Sequence, residues 1–399
     1  MLAVTLALAI VQSPYREQFP LPDLTVPSGL GVNIHIIEPK DNTIQRIAAS
    51  GFKWIRMDML WNEIERRKGS YDFSRYDKLN DQLRQSKLRP IYILDYGNDY
   101  YEKGAPRSPQ ARAAFVAFVH ATLQHYGHQG AVWELYNEPN IHFWEPQPNV
   151  NEYIALAREV GHEIRANEPD EWFIGPAVSG MDWNFLQACM KAGLLQYWDA
   201  VSVHPYRNAP PETAAKDWQH LREMIGQYAP KGKAVEIICS EWGYNSLSFG
   251  EQKQADYASR QYLANLGSWV PLTIWYDWSD DVADKRAEER HYGVVRADLS
   301  SKPALLSIYT MMRELKGWKV TNAIFNDAAV LTFRRGAFSK GVAWAVNGAR
   351  ATAQIPLPVG DYVQRSFSTD THVVHAGPTG MTVQVGSTPT YFSPVQTGK

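Results

Sequence analysis

Two glutamates in this chain stand where apolar strands give way to polar loops. Glu138 lies in the segment WELYNEPN (133–140), and Glu241 lies in IICSEWGY (237–244). Two carboxyl groups that face one cleft can cleave a glycosidic bond, because one protonates the leaving group while the other attacks the anomeric carbon. The pair therefore predicts retaining cleavage of a glycosidic bond, provided that the fold brings the two strand ends together.

A (β/α)8 TIM barrel would do so, since its chemistry sits at the carboxyl ends of its strands. Eight short apolar segments alternate with helical patterns and predict such a barrel over residues 21–315; the segments are 30–36, 53–59, 90–96, 131–136, 171–176, 199–204, 234–240 and 271–276. Strands this apolar fit a parallel sheet that is buried on both faces. A doubly wound open sheet is the alternative, but no Gly-rich nucleotide fingerprint follows the first strand.

The two ends of the chain follow other patterns. Residues 316–399 alternate apolar and polar positions between turn residues, which predicts a small antiparallel β-sandwich that packs rigidly on the barrel as structural support. Residues 1–20 begin with an apolar stretch that resembles the core of a secretory signal without the usual preceding basic residues. We expect export to the periplasm or medium, with a packed or disordered N-terminal arm as the alternative.

Composition excludes several classes of protein. Of the 399 residues 45% are hydrophobic and 21% are charged, as in soluble globular proteins, and the net charge of −2 argues against a general nucleic-acid binder. No later segment has the 18 apolar residues that a membrane span needs. The 14 Trp and 21 Tyr suit stacking on sugar rings, although most such rings belong to protein cores. The two cysteines, Cys189 and Cys239, are not expected to form a disulfide.

The motifs together resemble the clan A glycoside hydrolases, most closely family 39 and next family 5. The resemblance rests on Asn137-Glu138-Pro139 at strand 4 and Ser240-Glu241-Trp242-Gly243 at strand 7, in that order and with the flanking strands. It implies that Glu138 is the acid/base and Glu241 the nucleophile. It also implies that Asn137 holds the sugar 2-hydroxyl and that Arg56 keeps the nucleophile ionised.

The same resemblance implies roles at strands 6 and 8. His204-Pro205-Tyr206 matches the His-x-Tyr of the clan, so His204 would bond the sugar or the acid/base and Tyr206 would hydrogen-bond Glu241. Trp275 would be the floor of the −1 subsite, the site of the sugar whose bond is cleaved. By position alone, further side chains point towards the mouth of the barrel: His35, Asp58, Trp61, Asp95, Tyr96, Asp277 and Trp278. His142 and Trp144 are candidates for a wall on the leaving-group side.

Three readings of function remain open at this point. The first is a retaining hydrolase of an oligo- or polysaccharide, β-xylosidase-like or endo-β-glycanase-like, with no cofactor or metal. It requires that the pKa of one glutamate be raised and that of the other be kept low. The second is a non-catalytic carbohydrate-binding barrel. The third is a metal-dependent hydrolase, for which His35 and His204 are too few ligands. The acidic loop 276–293 is expected to be a solvated lid rather than a calcium site.

Overall fold

The computed structural model describes residues 13–39, 42–281, 291–366 and 371–395. Eight parallel strands close into a barrel in chain order, which confirms the predicted TIM barrel. The strands are β1 (Leu30–Asn33), β2 (Trp54–Leu60), β3 (Arg89–Asp95), β4 (Val132–Leu135), β5 (Trp172–Ser179), β6 (Ala200–His204), β7 (Glu236–Trp242) and β8 (Leu272–Trp275). The barrel closes between β1 and β8, where Leu30 pairs with Thr273 and Val32 with Trp275.

Helices follow the strands and surround the barrel. Within the described residues they are α1 (Pro14–Gln18), α2 (Thr43–Ala49), α3 (Trp61–Ile64), α4 (Ser74–Gln85), α5 (Pro109–Tyr126), α6 (Val150–Asn167), α7 (Trp183–Lys191), α8 (Ala215–Tyr228), α9 (Ser246–Phe249), α10 (Glu251–Gly267) and α11 (Pro303–Leu315). Short 3₁₀ turns cover Leu194–Gln196 and Pro211–Ala214. Helix α5 begins as the sequence predicts, because the Ser108 hydroxyl accepts a hydrogen bond from the Ala111 amide and Pro109 occupies the first turn.

The end of the barrel opposite the strands' carboxyl termini is filled by apolar side chains. Trp54, Ile91, Val132, Ile174 and Ile238 belong to one buried cluster there, with at most 2% of any of them exposed. Each comes from a different strand, so the interior is packed and only the other end is open for chemistry.

The N-terminal arm packs under this closed end. Arg16 forms an ion pair with Asp199 (Nη1 to Oδ1, 2.9 Å), and the Tyr15 hydroxyl donates to Glu171 (3.1 Å). From residue 13 onward the segment thus packs against the barrel. The apolar stretch on which the export prediction rests lies in residues 1–12, outside the described residues.

The C-terminal part is an antiparallel β-structure of two sheets, as predicted. Strands β9 (Lys319–Phe325), β10 (Ala328–Arg335), β11 (Phe338–Ala345), β13 (Gly360–Arg365), β14 (Thr371–Ala376) and β16 (Thr390–Pro394) form one sheet in the order β14-β13-β16-β11-β10-β9. Strands β12 (Ala351–Ile355) and β15 (Met381–Val385) form the other. The sequence patterns did not predict β9 and β16. Both pair along their length with strands that were predicted, so tertiary pairing defines them.

A buried polar network joins this β-structure to the barrel. Arg260 of α10 donates twice to Glu212 (2.8 and 2.7 Å), and the Trp344 indole of β11 donates to the same carboxylate (2.6 Å). At most 4% of Arg260 and Glu212 is exposed, so the contact is fixed rather than a loose surface pairing.

Two further expectations concern covalent and membrane features. Cys189 and Cys239 are both buried and free. No helix in the described ranges has the length and apolar character that crossing a membrane requires. The predicted lid falls largely on residues 282–290, which lie outside the described residues.

Candidate active site

The two predicted catalytic glutamates lie at the same end of the barrel. Glu138 follows β4 and Glu241 is the penultimate residue of β7, and 7% and 9% of their surfaces are exposed. One carboxylate oxygen of each lies within 4.8 Å of the other. Retaining glycosidases hold their two carboxyl groups about 5–5.5 Å apart, and inverting enzymes about 6.5–9.5 Å apart. The separation therefore fits double displacement through a covalent intermediate.

The backbone at Glu138 is held in an unusual conformation. Its φ is +46°, in the left-handed region that non-glycine residues rarely adopt. The Glu138 amide donates to the carbonyl of Ala177 on the neighbouring strand (3.0 Å), and this contact fixes the turn. Such conformations persist where the surrounding structure over-determines them, and they cluster at functional sites.

Arg56 of β2 is the hub of the polar contacts under the cleft. Its guanidinium donates to Glu241 Oε2 (2.5 Å), to Glu134 Oε2 (2.6 Å) and to Asn137 Oδ1 (2.8 Å). Only 1% of Arg56 is exposed, so these contacts act at low dielectric, where they are strong. The guanidinium thus fixes Glu241 Oε2, and the same group orients Asn137.

The other oxygen of the Glu241 carboxylate has its own donor. The Tyr206 hydroxyl donates to Oε1 at 2.8 Å, as the His-x-Tyr resemblance implied. Gly243, two residues later, lets β7 and β8 approach, because a Cβ there would lie 2.0 Å from the Tyr276 carbonyl oxygen. Glu241 is thus held from both sides and stands on a strand end that tolerates no side chain at position 243.

His204 at the end of β6 contacts the acid/base candidate. Its Nδ1 lies 2.9 Å from Glu138 Oε1, and its Nε2 lies 3.1 Å from the Ser240 hydroxyl. Burial raises the pKa of Glu138, but the hydrogen bond and the charge of His204 offset it, and that pKa lies below its ordinary value. This differs from the raised pKa that the sequence argument expects of a general acid. The reason is the neighbouring His204 ring, whose hydrogen bond and charge stabilise the ionised form of Glu138.

The cleft between the two glutamates is a cavity of about 320 Å³. Its lining joins the two glutamates to side chains from or just after β1, β2, β3 and β8 and from the loop after β4, most of them polar or aromatic: Asn33, His35, Arg56, Asp58, Ile93, Tyr96, Asn137, Phe143 and Tyr276. The rings of Phe143 and Tyr96 stack on each other with centroids 5.7 Å apart. A larger cavity of about 730 Å³ lies outside the barrel near α2 and α11, and its lining contains no carboxylate.

Two tryptophans that were predicted to contact the sugar, Trp275 and Trp144, are buried in the core instead. Trp275 is fully buried, and its indole donates to the Tyr292 carbonyl (3.0 Å), so the next residue, Tyr276, supplies the ring at the cleft. Trp144 is also fully buried; its indole donates to Glu152 (2.9 Å) and its ring packs on Tyr136. In both cases a hydrogen-bond acceptor for the indole N–H on the core side accompanies the inward turn of the ring.

The remaining positional candidates divide in the same way. Trp61 is fully buried and its indole donates to Glu65 (2.6 Å). Trp278 is 2% exposed and lines the cavity outside the barrel. His142 is exposed to solvent and does not belong to the cleft lining. Asp277 lies 3.9 Å from His35 (Oδ2 to Nε2) and therefore borders the cleft. Burial raises the pKa of Asp277 to about 8.

The sequence argument missed several residues of the site. Glu134 is fully buried under the cleft as the partner of Arg56, and a charged residue inside an apolar strand was an available signal. Asn33 stands at the end of β1, so its position in the sequence could have predicted it as it did His35. Phe143 and Tyr276 could not be predicted in this way, because only the course of their loops turns these rings to the cleft.

Glu138, His204 and Glu241 also form, within the described residues, the one group of three acidic, His or Cys side chains close enough to share a metal ion. Arg56 lies against Glu241, so a cation there would face a guanidinium at short range. The donors Tyr206 and Ser240 already satisfy the atoms that a metal would take. The group therefore fits proton chemistry better than metal binding.

Comparison with known proteins agrees with this geometry. The family model described as Cellulase (glycosyl hydrolase family 5) matches residues 25–281, more than half of the chain. The chain belongs to this clan A family of glycoside hydrolases. The predicted clan is thereby confirmed, and family 5 is one of the two families that the motifs resembled.

Relatives and solved structures extend the comparison of this glycoside hydrolase. A β-xylosidase from Geobacillus stearothermophilus is 26% identical over 280 residues, which are 58% of this chain and 55% of that protein. The chain thus spans about half the length of the curated relative that it matches.

Two solved structures share the fold. A family 39 glycoside hydrolase from Bacteroides cellulosilyticus WH2 superposes with a TM-score of 0.81 at 22% identity, covering 92% of this chain and 80% of that one. A monomeric β-xylosidase from Caulobacter crescentus CB15 gives 0.67 at 16% identity, covering 94% and 97%. At these identities the likeness shows the fold alone, and both coverages include the C-terminal β-structure.

Proposed function

We propose that the protein is a retaining glycoside hydrolase that cleaves β-linked glycosides of a plant or bacterial oligo- or polysaccharide. One observation carries the proposal: the carboxylate oxygens of Glu138 and Glu241 come within 4.8 Å, at the carboxyl ends of two barrel strands. That separation leaves no room for a water molecule to attack from the face opposite the leaving group, as inversion requires. Direct attack by one carboxylate is the chemistry that fits.

In the first step, Glu241 forms a bond to the anomeric carbon while the bond from that carbon to the leaving oxygen breaks. Glu138 transfers its proton to that oxygen. Arg56 and Tyr206 hold the two oxygens of Glu241, so the attacking group enters the step already oriented. In this proposal Asn137, whose Oδ1 accepts from Arg56, contacts the sugar 2-hydroxyl.

In the second step, water attacks the anomeric carbon, Glu138 takes the water proton, and Glu241 leaves as a carboxylate. The charge of Glu241 is absent in the ester, so the proton that Glu138 carried is held less tightly in this state. His204 contacts the acid/base in both steps, because its Nδ1 lies 2.9 Å from Glu138 Oε1 while its Nε2 lies 3.1 Å from the Ser240 hydroxyl.

The sugar is proposed from the cavity and the relative. A cavity of about 320 Å³ is at the lower end of ordinary ligand pockets, which span about 300–1,000 Å³, and suits one glycone ring at a time. The curated relative is named a β-xylosidase. These observations support a β-xyloside-like glycone, with an endo-β-glycanase as the alternative mode of action.

A panel of aryl β-glycosides tests the proposal: xyloside, glucoside, mannoside and galactoside, beside polymeric xylan, glucan and mannan. We expect turnover of at least one substrate, with NMR detecting the β-anomer first. Release of the α-anomer first would contradict the assignment of the two glutamates. Sugar binding without turnover on the whole panel would favour the carbohydrate-binding barrel instead.

Chemical rescue tests the nucleophile. The variant Glu241→Gly should lose turnover of β-glycosides, and azide should restore it on an activated aryl substrate with an α-glycosyl azide as product. Glu236→Gly, at the exposed start of the same strand, is the matched control and should keep activity that azide does not change. Failure of azide to restore turnover would remove Glu241 from the role of nucleophile.

Export of the enzyme remains a proposal from the apolar N-terminal stretch. It would place the hydrolase where polymeric substrates occur. Fractionation of cells that express the full chain tests it, since an enzyme recovered only with the cytosol would contradict it.

A further inference from the structure

A second group of titratable side chains borders the cleft, and the two-glutamate mechanism does not use it. His35 of the β1 loop lies between Asp58 (Nδ1 to Oδ2, 3.8 Å) and Asp277 (Nε2 to Oδ2, 3.9 Å). Its side chain is 47% exposed, and it lines the same cavity as Glu241. The Asn33 amide lies 3.1 Å from its Nε2. His35 therefore presents a charged edge to the sugar that the nucleophile attacks.

Asp95 lies behind this group and has an unusual environment. It is fully buried at the end of β3. Neither of its carboxyl oxygens receives a hydrogen bond from an N–H or O–H donor of the described residues. The side chain within hydrogen-bonding reach is the carboxyl group of Asp58 on the neighbouring strand. Two carboxyl groups can bond in this way only when they share a proton.

The surroundings decide which of the two carries the proton. Burial, followed by the charge of Asp58, raises the pKa of Asp95 well above its ordinary value. For Asp58 burial also raises the pKa, but the contact with His35 and the charge of Arg56 lower it overall. The proton thus resides on Asp95, and Asp58 faces His35 as the anion.

His35 is in turn kept cationic by its carboxylates. Burial lowers its pKa, but Asp58 and Asp277 offset this and raise the pKa to about 9. Among the described residues, four further charged groups face Asp95, Asp58 or His35: Arg56 on β2, Glu134 on β4, Glu241 on β7 and Asp277 after β8. Those that face Asp277 from the loop after β8 are Asp280, Asp281 and Lys302.

We propose that Asp95 is a positioning residue of the glycone subsite: as a neutral acid it donates to Asp58, which holds the His35 imidazolium as a donor to the glycone hydroxyls. This rests on the proposed function for its catalytic part. The chain Asp95–Asp58–His35 also defines the chemical class of the glycone. An uncharged sugar can accept from His35, whereas a uronate would bring a further negative charge towards the carboxylate of Asp58.

The first test uses the variants Asp95→Asn and Asp95→Ala. The amide of Asn has the shape of the carboxyl group and an N–H that can donate to Asp58, so Asp95→Asn should keep kcat and KM within about threefold of wild type near pH 6. Asp95→Ala leaves Asp58 without its donor and should raise KM at least about tenfold, since two or more positioning contacts of the glycone are loosened. If Asn is as harmful as Ala, Asp95 acts as an anion and the proposal is wrong.

The pH dependence of stability tests the proton without any substrate. A folded carboxyl group with a raised pKa binds a proton on folding, so its contribution is complete below the unfolded pKa and is lost as pH rises towards the folded value. Asp95→Asn removes this dependence. Its Tm should match wild type near pH 4 and exceed it increasingly up to pH 8.

Asp199→Asn is the matched control, because Asp199 is a buried aspartate paired with Arg16 and Arg165 (2.9 and 2.6 Å) at the other end of the barrel. Replacing this ionised group should lower Tm at pH 8. A fall in Tm at pH 8 for Asp95→Asn as well would overturn the proposal. This arm stands even if wild type turns over no aryl glycoside, so failure of the proposed function and failure of this inference are distinguishable.

The class of glycone is tested with an aryl β-glucoside and the corresponding β-glucuronide, which differ only by the carboxylate. We expect kcat/KM to be at least about 100-fold lower for the glucuronide, because like charges repel strongly in a partly buried site. Asp58→Asn should narrow this difference at least about tenfold. Equal turnover of the two sugars by wild type would contradict the assigned class.

Discussion

Replacing Arg56 by lysine separates the charge of this residue from its geometry. Arg56 is 1% exposed and directs its guanidinium at two carboxylates, Glu241 (2.5 Å) and Glu134 (2.6 Å), and at Asn137 (2.8 Å). A lysine ammonium keeps the positive charge but is a single point that cannot face all three groups. We expect it to retain one carboxylate and to lose the other together with Asn137.

The size of the effect follows from these contacts. A hydrogen bond to a charged group contributes about 1.5–3 kcal/mol and a neutral one about 1 kcal/mol, so Arg56→Lys should lower the free energy of unfolding by about 3 kcal/mol. If the same orientation is lost in the transition state, kcat/KM falls by about 100-fold, since each tenfold change in rate is about 1.4 kcal/mol. Arg56→Met would leave two buried carboxylates without a cation, at about 3–5 kcal/mol for each broken pair, and is expected not to fold.

Urea denaturation followed by Trp fluorescence measures the stability, and kcat/KM on an aryl β-glycoside measures the activity. The matched control is Arg112→Lys, because Arg112 pairs with Glu159 at 2.7 Å on the outside of the barrel. That partly exposed pair should contribute about 1 kcal/mol at most and nothing to catalysis. Wild-type stability and activity in Arg56→Lys, or an equal loss in Arg112→Lys, would refute the argument that Arg56 holds the nucleophile.

Further variants test the acid, the aromatic wall and the domain contact. Glu138→Ala should spare the first step with an activated phenol leaving group and slow unactivated glycosides by about 10²–10⁴-fold; an equal loss on both would argue against its role as acid. Phe143→Ala should raise KM and leave Tm unchanged, whereas Trp144→Phe should lower Tm and leave KM unchanged; the reverse would return Trp144 to the cleft. Glu212→Gln leaves Arg260 buried without its anion, so stability should fall by about 3–5 kcal/mol with kcat unchanged; unchanged stability in a denaturant titration would show that the domain contact lies elsewhere.

The sequence was sufficient for the architecture and for the catalytic pair. Apolar strands that alternate with helical patterns, with no nucleotide fingerprint after the first strand, favour a closed barrel over a doubly wound open sheet, and a parallel barrel brings every strand's carboxyl end to one face. Glu138 and Glu241 each stand at such an end, so their meeting could be predicted without knowing a single distance. Arg56, His204 and Tyr206 follow from the same rule together with the clan resemblance.

Tertiary structure decided which way the aromatic rings face. Trp275 and Trp144 stand next to cleft residues in the sequence, but each indole donates to an acceptor away from the cleft and its ring is buried. Their neighbours Tyr276 and Phe143 line the cleft instead. Strands β9 and β16 likewise exist through pairing with neighbours rather than through a local pattern. Contacts between residues that are distant in the sequence determine such features, so they cannot be predicted from local periodicity.

The sequence also could not predict which side chains of the site carry a proton. The types of residue predict that carboxyl groups and a histidine meet at one cleft, but not that His204 lowers the pKa of Glu138 or that Asp95 lies against Asp58 without another donor. A pKa depends on burial and on charges within a few ångströms, and both are properties of the folded packing. The sequence by itself determined which groups assemble and on which face of the barrel; the tertiary structure decided their separations, and with them which group carries each proton.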